Sequence, residues 1–106
     1  MTRAEILEEA KKIVCGDRDQ QYGKPEYNFE VIACLWNAYL AASGTSIDFL
    51  NSVDVANMMA LLKIARSATA DDDNQKADTF IDIAGYAACA AECAGVEVER
   101  NNEKRT

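Results

Sequence analysis

Apolar side chains recur at intervals of three and four along most of this chain, the period of a helix, and no segment alternates with the period of two that marks a strand. Thr2-Arg3-Ala4-Glu5 has the form of a capping box, and Ile6, Leu7, Ala10, Ile13 and Val14 follow at helical spacing, so the pattern predicts a first helix over 3–15, ending at Gly16. The polar stretch from Gly16 to Lys24 offers no apolar face and reads as a surface loop, after which Pro25 suits the first turn of a helix. That second helix, over 25–42, carries Phe29, Ile32, Leu35, Trp36, Tyr39 and Leu40, an apolar surface broad enough for a central place in a bundle, and Gly44 ends it. After a connector through Ile47 and Phe49, Asn51-Ser52-Val53-Asp54 reads as a helix start, and the third helix runs to about Ser67. The acidic run 70–75 reads as a loop, and an alanine-rich fourth helix is expected over 76–96, where small side chains let neighbours approach closely. Residues 97–106 form a charged tail expected to fray. The expectation is an all-α, four-helix bundle-like single domain over 1–96.

Composition narrows the functions open to such a domain. With 106 residues, 49% hydrophobic and 27% charged, the chain is apolar enough to fold, and small enough that a homo-oligomer is an expected source of further core. A net charge of -7 with no histidine argues against a nucleic-acid polymer, whose backbone calls for a surplus of Lys and Arg. A small anionic ligand is compatible with it, since a local pair of cations can overcome an acidic average. No secretory signal or run of membrane-spanning length is evident, so the expectation is a cytoplasmic protein, with no membrane partner, whose Cys15, Cys34, Cys89 and Cys93 are free buried thiols.

Some charges sit against the pattern. On a wheel of about 100° per residue, Arg66 falls between Val55 and Met59 in the middle of the third helix's apolar face, with Lys63 just beside them. A buried cation needs an acid or an anionic ligand. The fourth helix supplies acids, because Asp78, Asp82, Gly85, Cys89 and Glu92 share one stripe. Two carboxylates one turn apart call for a cation between them, either Lys63 and Arg66 or a hard divalent metal such as magnesium, so an internal ion-pair network and a ligand site both fit. Glu30 is a third candidate acid, whereas Glu26 reads as a solvated first-turn acid. Tyr22, Tyr27, Trp36 and Tyr86 could stack on a base, although aromatic residues at helical spacing more often serve as core, and Asn57 could bond a ligand or a neighbouring helix.

Gly16-Asp17-Arg18, Tyr22-Gly23, Asn28-Phe29, Ala33, Leu35-Trp36, Asp54-Val55-Ala56, Lys63-Ile64-Ala65-Arg66 and Asp82-Ile83-Ala84-Gly85-Tyr86-Ala87 together resemble a group of small uncharacterised phage and prophage proteins over roughly residues 5 to 93. A phage origin would place the chain in the host cytoplasm. More distantly the chain resembles the MazG-like and dimeric dUTPase-type all-α nucleoside triphosphate pyrophosphohydrolases. Those enzymes hold magnesium with a Glu-x-x-Glu element on one helix and a Glu-x-x-Asp element on another. Here Glu26 and Glu30, and Asp78 and Asp82, stand four apart instead of three. What this resemblance implies is that Glu30, Asp78 and Asp82 bind magnesium and a reacting water, that Lys63 and Arg66 neutralise a triphosphate, and that Tyr22 and Trp36 border the base, with Asn57 and Tyr86 as further substrate contacts. The alternative is a non-catalytic anti-defence protein that sequesters a nucleotide messenger or binds a host protein.

Overall fold

The computed structural model describes residues 1–17, 20–21, 23–45 and 48–97, with Asp17 described by its backbone alone. Tyr22, Ile47 and the tail from 98 onward lie outside the described residues. Among the described residues no strand is present and four α-helices are described from end to end: α1 (Arg3–Lys12), α2 (Pro25–Ala42), α3 (Ser52–Thr69) and α4 (Asp73–Cys93), with a π-helical turn, Ile13–Asp17, continuing α1. The domain is all-α and bundle-like, as expected.

Each helix begins where its first residues can satisfy amide groups that have no partner within the helix. Thr2 accepts from the Glu5 amide at 3.2 Å while the Glu5 carboxylate accepts from the Thr2 amide at 2.9 Å. Hydrogen bonding to its carboxylate from the Thr2 amide, and next from the Thr2 side chain, holds the Glu5 carboxyl below its ordinary pKa. Asn51 and Asp54 form the same reciprocal pair at 3.0 and 2.9 Å, and Pro25 occupies the first turn of α2. The fourth helix starts three residues earlier than its periodicity predicts, because Asp72 accepts from the Gln75 amide at 2.8 Å and Asp73 sits in the first turn, where the helix dipole favours an acid. Acids that read as loop in sequence are here the cap. The first helix departs from expectation at its other end, where its last turn widens into the π segment, whose Val14 packs on the core.

Packing is centred on α4, which lies most extensively against α3 and also against α1, while α2 lies mainly against α3. The core joins Phe29 and Ala33 of α2, Val55 and Ala56 of α3, and Cys89 and Ala90 of α4, with Trp36, Met59 and Tyr86 packed at its border. The Phe29 and Tyr86 rings stand 6.1 Å apart and tilted by 31°. A Cβ on Gly85 would lie 2.9 Å from Cγ1 of Val14, so only glycine lets α4 and the π segment meet this closely. The link between α2 and α3 is fastened by Asn37, whose side-chain amide donates to the Leu50 carbonyl and whose carbonyl accepts from the Leu50 amide, both at 2.9 Å. Replacing Asn37 with alanine strands two half-buried backbone groups, and urea titration should show a loss of about 1 kcal/mol.

The cysteines are less buried than their alanine-like contexts predict. Cys15 and Cys34 are exposed, Cys93 is half-buried and Cys89 is buried, with no disulfide among the described residues. An alanine-like context shows that a position tolerates a small side chain but not which side of the helix is covered. None of the described helices is long and apolar enough to cross a membrane.

Candidate functional site

Acids of the first half of α4 and cations of the second half of α3 face one another across an open cleft. Lys63, one turn before Arg66, reaches Asp82 with Nζ 2.8 Å from Oδ2, and the two side chains are only 16% and 23% exposed. Beside this pair lies a cleft of about 330 Å³ lined by Lys63, Arg66, Gln75, Asp78, Thr79 and Asp82, with Thr69 at the end of α3 and Ala70 just past it. Thr79 is buried and Asp78 exposed. Gln75 is steadied on the rim, where its side-chain oxygen accepts from the Asp71 amide at 3.1 Å.

The two cations therefore have different roles. Lys63 is neutralised within the protein, as an internal network requires. Arg66, placed by its wheel position in the middle of the apolar face, is in fact exposed, in the last turn of α3 on the wall of the cleft. Its guanidinium makes no ion pair with a described residue. The stripe on α4 divides similarly: Gly85 and Cys89 are buried, Asp82 is half-buried, and Asp78 and Glu92 at its ends are exposed.

Asp82 also forms part of the wall of a second, smaller cavity. This one measures about 50 Å³ and is enclosed chiefly by Ile13, Val14, Pro25, Phe29 and Tyr86, with Asn28 as its other polar side chain. Tyr86 thus lies near the cleft but on the apolar side of Asp82. The other predicted contacts are elsewhere. Glu30, next in sequence to buried Phe29 and therefore turned by about 100° from it, is exposed and lines neither cavity. Asn57 is exposed on the uncovered side of α3, and Trp36 packs against the core. Tyr22 falls outside the described residues. Among the described residues no three His, Cys, Asp or Glu side chains gather in a way that could hold a metal ion, so Glu30 does not complete a cage with Asp78 and Asp82.

Glu26 departs from its reading as a solvated first-turn acid. It is half-buried, and its Oε2 is shielded from solvent without a hydrogen-bond partner among the described residues. The start of α2 lies near the end of α4 and the start of α3, where burial pushes the Cys93 thiol pKa up, the Ser52 side chain opposes the rise by hydrogen bonding, and the nearby Glu26 and Glu92 charges add to it. The sequence carried no signal of this junction. Gln75 and Thr79 were equally silent, since a glutamine in an acidic run and a threonine amid apolar residues are ordinary surface and core residues.

Two phage proteins are similar to most of the chain. The Gene 55 protein of Mycobacterium phage D29 is 42% identical over 84 residues, covering 79% of this chain and 50% of the phage protein. The Gene 55 protein of Mycobacterium phage L5 is 45% identical over 82 residues, covering 77% and 47%. The chain thus spans about half the length of the curated relatives it matches. No solved structure gives a significant match. Residues 5–94 match the family described as a domain of unknown function, DUF6378, and the chain belongs to that family.

Proposed function

We propose that this chain is a phage accessory protein that binds a small phosphorylated ligand, of the nucleotide class, in the cleft between α3 and α4. The observation that carries the reading is Arg66, an exposed guanidinium with no acid partner among the described residues, on the wall of an open polar cleft of about 330 Å³. A guanidinium offers a planar fork that matches two phosphate oxygens, and Lys63 adds positive charge on the same wall. Thr79 and Gln75 line the cleft with uncharged polar groups that suit a ligand with sugar hydroxyls.

Magnesium fits this cleft only in part. The acids at hand are Asp78 and Asp82, one turn apart, and Asp82 is already held by Lys63. A pair of that kind suits an ion that arrives with a phosphorylated ligand and keeps several waters, whereas no three-acid set like that of the all-α pyrophosphohydrolases is assembled among the described residues. Binding without turnover is therefore the reading that the side chains support best. A phage protein of this type would act by sequestering a nucleotide, including one that a host defence uses as a messenger.

Calorimetry with a panel of nucleoside mono-, di- and triphosphates, with and without magnesium, tests the reading, and chromatography of the same mixtures looks for pyrophosphate. Saturable heat with the nucleotide left intact is the expected result. Release of pyrophosphate that needs magnesium would favour the hydrolase reading, and the absence of binding across the panel would remove both. Arg66→Ala should weaken binding at least ~10-fold, the worth of one charge-assisted hydrogen-bond pair. The exposed position of Arg66 means that its thermal midpoint should stay unchanged.

A further inference from the structure

The outer face of α2 is apolar from end to end. Tyr27, Val31, Leu35 and Tyr39 follow one another at intervals of four and are 70%, 59%, 65% and 72% exposed. Small exposed residues, Cys34, Ala38 and Ala42, lie among them, and Glu30 at the border is the only charged residue on the exposed side of this helix. The neighbouring helix repeats the pattern. Val55, Ala56 and Met59 of α3 face the interior, yet Met58 and Leu62 beside them, and Leu61 and Ile64 on the opposite side, are exposed. A helix that is apolar all round is the pattern of a buried helix.

We infer that the uncovered face of α2, extended by the back of α3, is the interface of a homodimer. The order of side chains along α2 points to a second copy, because the stripe reads aromatic, aliphatic, aliphatic, aromatic in either direction. An antiparallel α2 from a copy related by a two-fold axis sets Tyr27 against the partner's Tyr39 and Val31 against the partner's Leu35, so like meets like. Cys34 and Ala38 leave room for the two helix backbones to approach. The surface is large enough. The exposed side chains from Tyr27 to Tyr39 on α2 and Met58, Leu61 and Leu62 on α3 together uncover on the order of 800 Å², about what each partner contributes to a stable interface.

The interior argues the same way. Among the described residues the buried apolar set is Ala10, Phe29, Ala33, Val55, Ala56, Ile81, Cys89 and Ala90, half of it alanine, so the single chain has little core of its own. A partner of opposite charge finds nothing to pair with on the exposed side of α2 beyond the Glu30 carboxylate, and a polyanion finds no cation there.

Sedimentation velocity of the whole chain should give twice the mass of the 11.6 kDa monomer. Leu35→Glu should raise the dissociation constant at least tenfold. Leu7→Glu, at an α1 leucine that is equally exposed at 63% but off this face, should leave it unchanged. If Leu35→Glu does not fold, labelling of the unmutated chain with a thiol reagent decides. Cys34 should react more slowly as protein concentration rises, while exposed Cys15 keeps its rate. A monomer at every concentration, a dimer indifferent to Leu35→Glu, or a Cys34 rate independent of concentration would overturn the inference.

Discussion

Phe29→Ala should lower the unfolding free energy by about 3–5 kcal/mol, the range for removing a buried aromatic ring. Phe29 is 7% exposed and is the largest side chain of its core cluster, set among Ala33, Val55, Ala56 and Ala90. Those buried neighbours are too short to fill the vacated volume, which leaves only the border side chains Met59 and Tyr86 to relax toward it. The ring also borders the 50 Å³ cavity, and its removal would join the two voids. Because a domain of this size has a total stability of about 5–15 kcal/mol, and a small core places it toward the lower end, the variant should be partly unfolded at ambient temperature. Urea titration followed by far-UV circular dichroism, at one fixed protein concentration, measures the loss. A change below ~1 kcal/mol would mean that the packing around α2 is not what holds the chain together.

Lys63→Met should cost about 2–3 kcal/mol, even though it keeps the length and apolar stem of the side chain. The change leaves Asp82 with no ammonium at 2.8 Å, in a place where only about a quarter of it meets water. Breaking a fully buried pair costs ~3–5 kcal/mol, and the residual solvent contact of both partners lowers that figure here. The sign of the double variant is the sharper test. Lys63→Met with Asp82→Leu removes both charges, so most of the loss should return, and a thermodynamic cycle isolates the pair from the packing of the stems. If the double variant is as unstable as the sum of the two single changes, the pair is not coupled. The exposed Glu9–Lys12 pair, at 3.3 Å on the outside of α1, is the contrast, since water and salt screen such a pair almost completely.

Local signals made much of this architecture readable. The limits of α2 were clear from Pro25 at one end and Gly44, at φ +81°, just past the other, because each residue carries a backbone preference that neighbours cannot easily override. The beginning of α4 was obscured for the opposite reason. Asp71, Asp72 and Asp73 suit a loop and a cap equally, and the bond from the Gln75 amide to Asp72 decides. The widening of α1 into a π turn leaves no mark in the apolar spacing.

At the candidate site, an interval of four residues was enough to align Asp78 with Asp82 and to turn them toward Lys63. Periodicity gives the direction in which a side chain leaves its helix, but not how far the opposing helix extends. That is why Arg66 is exposed and Glu26 is half-buried, each the reverse of its expected environment. Pairing between helices distant in sequence, which sets the volume of the cleft and separates it from the apolar cavity, has no counterpart in any single stretch of the chain.

The contact between Val14 and Gly85 fixes the sliding position of the N-terminal helix. One turn away along α4 on either side stand Ile81 and Cys89, both bearing side chains and both buried. A shift of the π segment by a turn, about 5.4 Å, would drive the Val14 methyl into one of them. The N-terminal segment therefore has a single notch in which it can rest, and that notch abuts Asp82 and the cavity it shares with Asn28 and Tyr86.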